Sequence, residues 1–372
     1  MKIQYYRQLD GIRAVAALMV MYMHFVVAFK SDSAIYQAIA KYASFGQTGV
    51  SIFFVLSGFL ITRILMATKG SARFFSDFYI RRALRIFPLY YLFLFLFYFL
   101  VPLLQNIPIA PAGKQFYAWV YLQNFAMTFN WDAVVPSHYW SLAVEEHFYF
   151  LWPCLVYFFN KKGLKIAIAG ILIIAFICRL VLINKGFEVF YFTFTRMDEL
   201  AMGALLAVWE LEGKLKGNAK KFIVGLVLVL LPAIVLWVKV TGQAMVVVQV
   251  VKYNLLSLSC FCLVGYVIAL QGTSWVSRIL TSRFFQFSGK ISYGLYVYHP
   301  LCFFLIQTYF KPTIPVPVFF LISFGITYIV AAVSFYLFEA KFIALKKYFE
   351  HDRLSSRLPT SKPATISSET NN

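Results

Sequence analysis

Residues 9–25 read LDGIRAVAALMVMYMHF, an apolar segment with Arg13 in its first turn and His24 eleven positions later. The apolar run extends to about residue 29, nearly enough helix to cross the ~30 Å hydrocarbon core of a bilayer. Ionisable groups at such depth are costly, which points to a function for the pair. The segment is long for a signal peptide, holds a histidine and is followed by no small-x-small cleavage pattern. It is therefore read as a retained span.

The rest of the chain repeats the theme. Of 372 residues, 61% are hydrophobic and 13% charged, where a soluble domain carries about 25% charged residues. Apolar runs of about 20 residues fall at 12–29, 48–66, 86–104, 140–159, 164–183, 190–209, 222–238, 250–270, 291–310 and 317–338. The fold expected is an all-α polytopic membrane protein, a bundle of about ten transmembrane helices over residues 1–350. The Ser/Thr/Pro-rich stretch 351–372 reads as a disordered cytoplasmic tail. Five cysteines lie inside apolar runs without metal-ligand spacing, so no metal is expected.

The net charge of +19 is unevenly spread. With the N-terminus placed in the cytoplasm, 24 of the 34 Lys and Arg residues fall on the cytoplasmic side and six outside. The positive-inside rule accounts for that split, puts both termini in the cytoplasm and removes the need for a nucleic-acid partner.

This topology gives each intramembrane polar residue a depth. Arg13 falls at the cytoplasmic end of the first span and His24 in its outer half, within roughly 20° of one helical face and about 16 Å apart. The fourth span, HYWSLAVEEHFYFLWP, carries Glu145, Glu146 and His147, and the sixth carries Arg196, Asp198 and Glu199 in RMDEL. These are expected to share one outer-half layer with His24. For Arg196 with Asp198 or Glu199, an interhelical ion pair is the competing reading. For His24 the competing reading is a hydrogen bond to a neighbouring helix and for His147 a pairing with one of the adjacent acids, while His299 could serve the kink at Pro300. At the inner mouth, Arg82 and Arg85 are three apart on one face, suited to phosphate, although positive-inside also explains cytoplasmic arginines. Arg13, close behind Asp10, opposes the helix dipole and needs a further reason to be there. Cations at the mouth with a base about 16 Å further in suit a donor with a polyphosphate head and a long thin arm, the shape of a coenzyme A thioester.

LDGIRAVAALMVMYMHF, GVSIFFVLSGFLITR, RRALRIFPLYYL, YWSLAVEEHFYFLWP, RMDELAMGALLA and GKISYGLYVYHPL occur in that order, and the chain resembles the acyltransferase-3 family over about residues 5–345. The resemblance implies an integral-membrane O-acyltransferase, multi-pass and in the bacterial cytoplasmic (inner) membrane. It implies acyl-CoA, usually acetyl-CoA, as co-substrate with no bound cofactor. The acceptor would be a hydroxyl of a surface or exported glycan or glycolipid, with glycan-assembly proteins as further partners. The family pattern falls on Arg13, His24, Arg82, Arg85, Glu145 and Glu146; His147 stands where glutamine is common. No appended SGNH-type domain is expected.

The mechanism expected has His24 as base, Glu145 or Glu146 orienting its ring, and Arg13, Arg82 and Arg85 holding the donor phosphates. Asp10, Ser141, Arg196, Asp198 and Glu199 would form a supporting polar layer. A transporter or flippase for a glycan or lipid is the rival class, with Gly49, Gly58 and Gly203 allowing helix movement. Residues 105–139 are too short in apolar content to span. They would cap the acceptor side, with Trp119, Trp131 and Trp140 available for sugar stacking or as part of an aromatic belt.

Overall fold

A computed structural model describes residues 4–28, 34–239, 246–270, 274–310 and 315–349. The expected tail, 351–372, lies outside the described residues. The chain is an all-α polytopic membrane protein, with no strand among the described residues. The helices are α1 (Arg7–Ala28), α2 (Ala34–Ala43), α3 (Thr48–Thr68), α4 (Phe74–Phe95) and α5 (Val101–Gln105). Then come α6 (Ala112–Trp119), α7 (Gln123–Thr128), α8 (Trp140–Phe158), α9 (Lys161–Asn184) and α10 (Thr193–Leu211). They are followed by α11 (Ala219–Lys239), α12 (Val246–Ala269), α13 (Trp275–Leu280) and α14 (Arg283–Lys290). Last are α15 (Ser292–Phe310), α16 (Val316–Ser334) and α17 (Ala340–Ala344).

Each apolar run coincides with one long helix. Seven helical stretches are long and apolar enough to cross a membrane on composition alone. The other three, α8, α10 and α15, carry the polar residues that the bundle encloses. One boundary differs in a way that matters. α4 begins at Phe74 rather than near 86, so Arg82 and Arg85 lie two turns and more inside a helix. Their charge had hidden those turns from a reading based on apolar runs.

Side-chain contacts join the basic ends of the helices. Arg63 at the end of α3 donates to the Gln4 carbonyl at 2.9 Å and pairs with Glu210 near the end of α10 at 2.5 Å. Lys69 donates to the Phe159 carbonyl after α8, and Lys165 at the start of α9 pairs with Glu212 after α10. Hydrogen bonds from Lys165 and Lys214 hold the Glu212 carboxyl down at about 2. Gln8 reaches Ser277 of α13, and Arg81 reaches the Phe349 carbonyl. Residues 4–8 and 345–349 therefore lie at the same, basic end of the bundle.

The centre is the crossing of α3 and α10, the most extensive helix contact. A Cβ on Gly58 would collide with the Leu200 carbonyl oxygen, and one on Gly203 with that of Val55. Gly49 meets the Ala16 carbonyl of α1 in the same way. Lipid offers no hydrophobic drive for helices to associate, so such backbone approach is what binds them. These glycines, expected to allow movement, are seats for tight packing. By contrast α11 lies at the periphery, with 11% of its most apolar window buried against 67% for the stretch containing α3.

Beside that crossing lies a buried ionic cluster. Arg179 of α9 pairs with Asp198 at 2.7 Å and donates to the Thr195 carbonyl at 2.5 Å. Arg196 pairs with Glu199 at 3.0 Å and donates to Ser51 of α3 at 2.9 Å. Ser257 of α12 hydrogen-bonds Asp198 and Glu199. All four charged side chains are at most 2% exposed. Two cations balance two anions, and four helices are tied together.

Two stability effects follow. Gly58→Leu should forfeit the close crossing and lower the thermal midpoint of detergent-solubilised protein, the overpacking cost being roughly 1–3 kcal/mol or more. A midpoint within 1–2 °C of the parent, an order-of-magnitude equivalent of a few tenths of a kcal/mol, would refute the packing role. Glu199→Leu should strand Arg196 and destabilise by about 3–5 kcal/mol, whereas Arg196→Met with Glu199→Leu should recover much of that loss. Unfolding midpoints of the single and double variants test this, and equal losses would show that the two groups do not act as a pair.

Candidate functional site

A cavity of about 110 Å³ opens where α1, α3, α4, α8 and α15 converge. Its polar lining comes from Arg13, Ser57, Arg82, Arg85, Ser141, Glu145, Glu146, Tyr149, Ser292, Tyr293 and Tyr296. Helical periodicity explains the convergence. Ser141, Glu145 and Tyr149 are spaced by four on α8, Arg82 and Arg85 by three on α4, and Tyr293 and Tyr296 by three on α15. Each set shares one face.

The two glutamates differ sharply. Glu145 accepts 2.8 Å hydrogen bonds from Ser57 and Tyr149, one on each oxygen. Glu146 keeps a buried oxygen, Oε1, with no hydrogen-bond partner. Arg82 stacks over the ring of Tyr149 at 5.2 Å, and over Phe78 at 5.8 Å. Arg13 pairs with Asp10 at 2.9 Å, and Asp10 also accepts from Tyr5. That pair is what offsets the unfavourable helix-dipole position of Arg13.

A second cavity, of about 480 Å³, lies against the first and shares Arg13, Arg85, Ser292 and Tyr293 with it. It adds Lys290, Lys346, Asp10 and Glu339. Arg85 is exposed, and it and Arg13 are the two cations that line both spaces. Lys290 lies 5.0 Å from the centre of the Phe335 ring and 4.8 Å from that of Tyr336.

His24 does not line either cavity. Its Nδ1 is 3.1 Å from the Val20 carbonyl oxygen and 3.0 Å from Nε2 of His299. His299 in turn has Nδ1 3.1 Å from the Leu295 carbonyl oxygen. His138 stands over His299 with ring centres 5.6 Å apart, and its Nε2 donates to the Val297 carbonyl at 3.1 Å. Three histidines from three helical elements thus gather beyond the inner end of the cavity. Tyr296 joins the two regions. Its hydroxyl is 2.5 Å from Ser141 Oγ and donates to the His138 carbonyl at 2.7 Å, while its ring centre is 5.9 Å from that of His299.

Several expected associations change. The partner of His24 is His299, not Glu145 or Glu146, and the glutamates share their cavity with the arginines instead of a layer with His24. The early start of α4 is the reason: it carries Arg82 and Arg85 deep enough to meet α8. Arg196, Asp198 and Glu199 belong to the separate ionic cluster, because Arg179, buried in α9, supplies the second cation. Ser141 and Asp10 stay beside the cavities. His147 bonds Thr193 at 2.7 Å, not an acid.

Residues 105–139 fold into two short helices, α6 and α7, clipped by Lys114–Asp132 at 2.9 Å. Tyr121 adopts φ 60° between them. Trp140 is buried against Phe54 and Arg196 and so is not free for a sugar; Trp119 is half-buried and parallel to Tyr91, and Trp131 is 43% exposed. Ser57, Tyr149, Tyr293 and Tyr296 had not been singled out. The four-residue step from Glu145 to Tyr149 and the three-residue step from Tyr296 to His299 were the available signals.

The family model described as "Acyltransferase domain", that of acyltransferase-3, matches residues 6–336. Among curated proteins, the O-acetyltransferase OatA of Staphylococcus aureus (strain NCTC 8325 / PS 47) is 27% identical over 90% of this chain and 57% of its own length. A Bacillus subtilis (strain 168) protein named "Putative peptidoglycan O-acetyltransferase YrhL" is 28% identical over 80% of this chain and 48% of its own. The chain thus spans about half the length of such relatives. No solved structure gives a significant match. With the family match running from just before α1 to just past α16, the chain belongs to the acyltransferase-3 family.

Proposed function

We propose that the protein is an O-acyltransferase of the bacterial cytoplasmic membrane. It moves an acyl group, acetyl in the first instance, from cytoplasmic acyl-CoA to a hydroxyl of a cell-surface or exported glycan or glycolipid. The observation that carries this reading is that Arg13 and Arg85 line both a larger cavity and a smaller one beside it. A coenzyme A thioester has the matching form: a nucleotide head with three phosphates and a thin arm ending in the acyl group. The head fits the wide cavity, where Lys290 and Lys346 add positive charge. The arm enters the narrow one. The names of the relatives, all O-acetyltransferases and one specified for peptidoglycan, support the reaction class and a glycan acceptor. The excess of basic residues at the end holding the wide cavity supports its facing the cytoplasm.

In this reading the roles of the arginines and glutamates follow from their contacts, and that of His24 from its place in the family pattern. Arg13, Arg82 and Arg85 bind the donor phosphates through charge-assisted hydrogen bonds. Glu146 meets the donor arm, since its unpartnered oxygen accepts from an amide N–H of the kind pantetheine carries. Glu145, already bonded to Ser57 and Tyr149, fixes the wall against which that arm lies. His24 is the base. It takes the acceptor hydroxyl proton as the oxygen attacks the thioester carbonyl. The C–S bond then breaks, and the proton passes to the departing thiolate.

Arg82→Ala with Arg85→Ala should raise the KM for acetyl-CoA about tenfold or more, with kcat changed much less. Each lost charge-assisted bond is worth about 1.5–3 kcal/mol. Transfer from labelled acetyl-CoA to extracted cell-envelope glycan, followed at several donor concentrations, reads this out; an unchanged KM would reject the donor site. In the same assay His24→Ala should lose turnover by roughly 10²–10⁴-fold while inserting normally, and near-normal turnover would remove His24 from the reaction.

A further inference from the structure

We infer that His299 is a positioning residue that fixes the Nδ1–H tautomer of His24, leaving Nε2 of His24 as the nitrogen that takes the proton. The inference rests on the reading of His24 as base and adds what orients it.

The argument is one of proton counting. His299 is fully buried, and its Nδ1 faces the Leu295 carbonyl oxygen at 3.1 Å. A carbonyl oxygen only accepts, so Nδ1 of His299 carries the hydrogen. A neutral imidazole has one N–H, so Nε2 of His299 is a lone pair, and it stands 3.0 Å from Nδ1 of His24. That nitrogen must therefore donate. The second neighbour of His24 Nδ1, the Val20 carbonyl oxygen at 3.1 Å, makes the same demand. Two independent acceptors thus require one proton, and Nε2 of His24 is left bare.

The alternative places a second proton on His299. It would put a cation in a fully buried site beside His138, and would set His24 Nδ1, now an acceptor, against the Val20 carbonyl. Among the described residues no carboxylate hydrogen-bonds or ion-pairs with His24, His138 or His299. Nothing there would compensate such a charge. The ring of His299 is held by neighbours on several sides: Phe25 edge-on at 6.4 Å, Tyr296 at 5.9 Å and His138 at 5.6 Å.

His299 thus occupies the place a carboxylate takes in a Ser-His-Asp triad, with a neutral acceptor instead. During transfer the acceptor O–H bond breaks and Nε2–H forms on His24. The new O–C bond forms as C–S breaks, and Nε2 then releases its proton to the thiolate. Throughout, Nδ1–H stays donated to His299 and Val20.

The chain has five histidines, few enough for nitrogen NMR of detergent-solubilised protein labelled with ¹⁵N-histidine. Signals of His24 are assigned by their loss in His24→Ala. In the parent protein His24 should show a protonated Nδ1 and an unprotonated Nε2; a protonated Nε2 overturns the inference even if His24→Ala is inactive. His299→Phe removes the acceptor. It should lower kcat roughly a hundredfold or more, with the KM for acetyl-CoA moved less than about threefold. His299→Gln, whose side-chain oxygen accepts at nearly the position of Nε2, should restore the tautomer and most of kcat. Unchanged kcat in His299→Phe, or no recovery in a folded His299→Gln, counts against the positioning role. Near-normal turnover in His24→Ala instead defeats the reading of His24 as base, whatever the tautomer.

Discussion

Charge placed in hydrocarbon has to be answered from within the protein, because lipid offers no hydrogen bonds. That constraint sorts the interior of this bundle into three regions. The Arg179–Asp198 and Arg196–Glu199 pairs balance in charge, and they hold helices together. Among the described residues the histidine group has no carboxylate partner, and it stays consistent if its rings are neutral, each with one proton to place. The cavity between them does not balance from its own lining. It gathers three arginines around two glutamates, one of which keeps an unsatisfied oxygen. A region left incomplete by its own side chains is where a polar, anionic ligand finds something to complete.

Glu145 and Glu146 show how adjacent residues acquire opposite fates. Consecutive positions on a helix point about 100° apart, so one carboxylate meets Ser57 and Tyr149 while its neighbour turns towards the open space. Both could not cheaply ionise side by side without the nearby arginines. Arg82, over the ring of Tyr149, lies on the side of the paired glutamate, where it contributes positive potential and still presents its edge to the cavity.

Much of the architecture was legible in the sequence because lipid imposes a blunt code. Apolar length marks the helices, and lysine and arginine mark the ends. The code falls short where charge enters a helix, as at the start of α4, whose first three turns lie outside the apolar run that marks the span. Partner identity was less legible. His24 with a glutamate and Arg196 with Asp198 were reasonable by depth. Depth along the membrane normal does not give azimuth, however, and azimuth decides that α15 rather than α8 faces His24, and that α9 rather than α10 itself answers Asp198. The six ordered motifs located the important helices without saying which of their faces meet.

The α3–α10 crossing has one more consequence. Ser57 and Gly58 are neighbours in the chain: the first grips Glu145 in the cavity, the second rests on the backbone of α10. The α3 backbone on that side of the narrow cavity is therefore held by a backbone-to-backbone contact and cannot recede. Room in the narrow cavity is gained only by shortening side chains, Phe53, Phe54 and Leu60 of α3, Ile86 of α4, or Tyr293 and Tyr296 of α15. On the function proposed above, those side chains set the limit on acyl length, with the α3 backbone as the fixed jaw of a gauge.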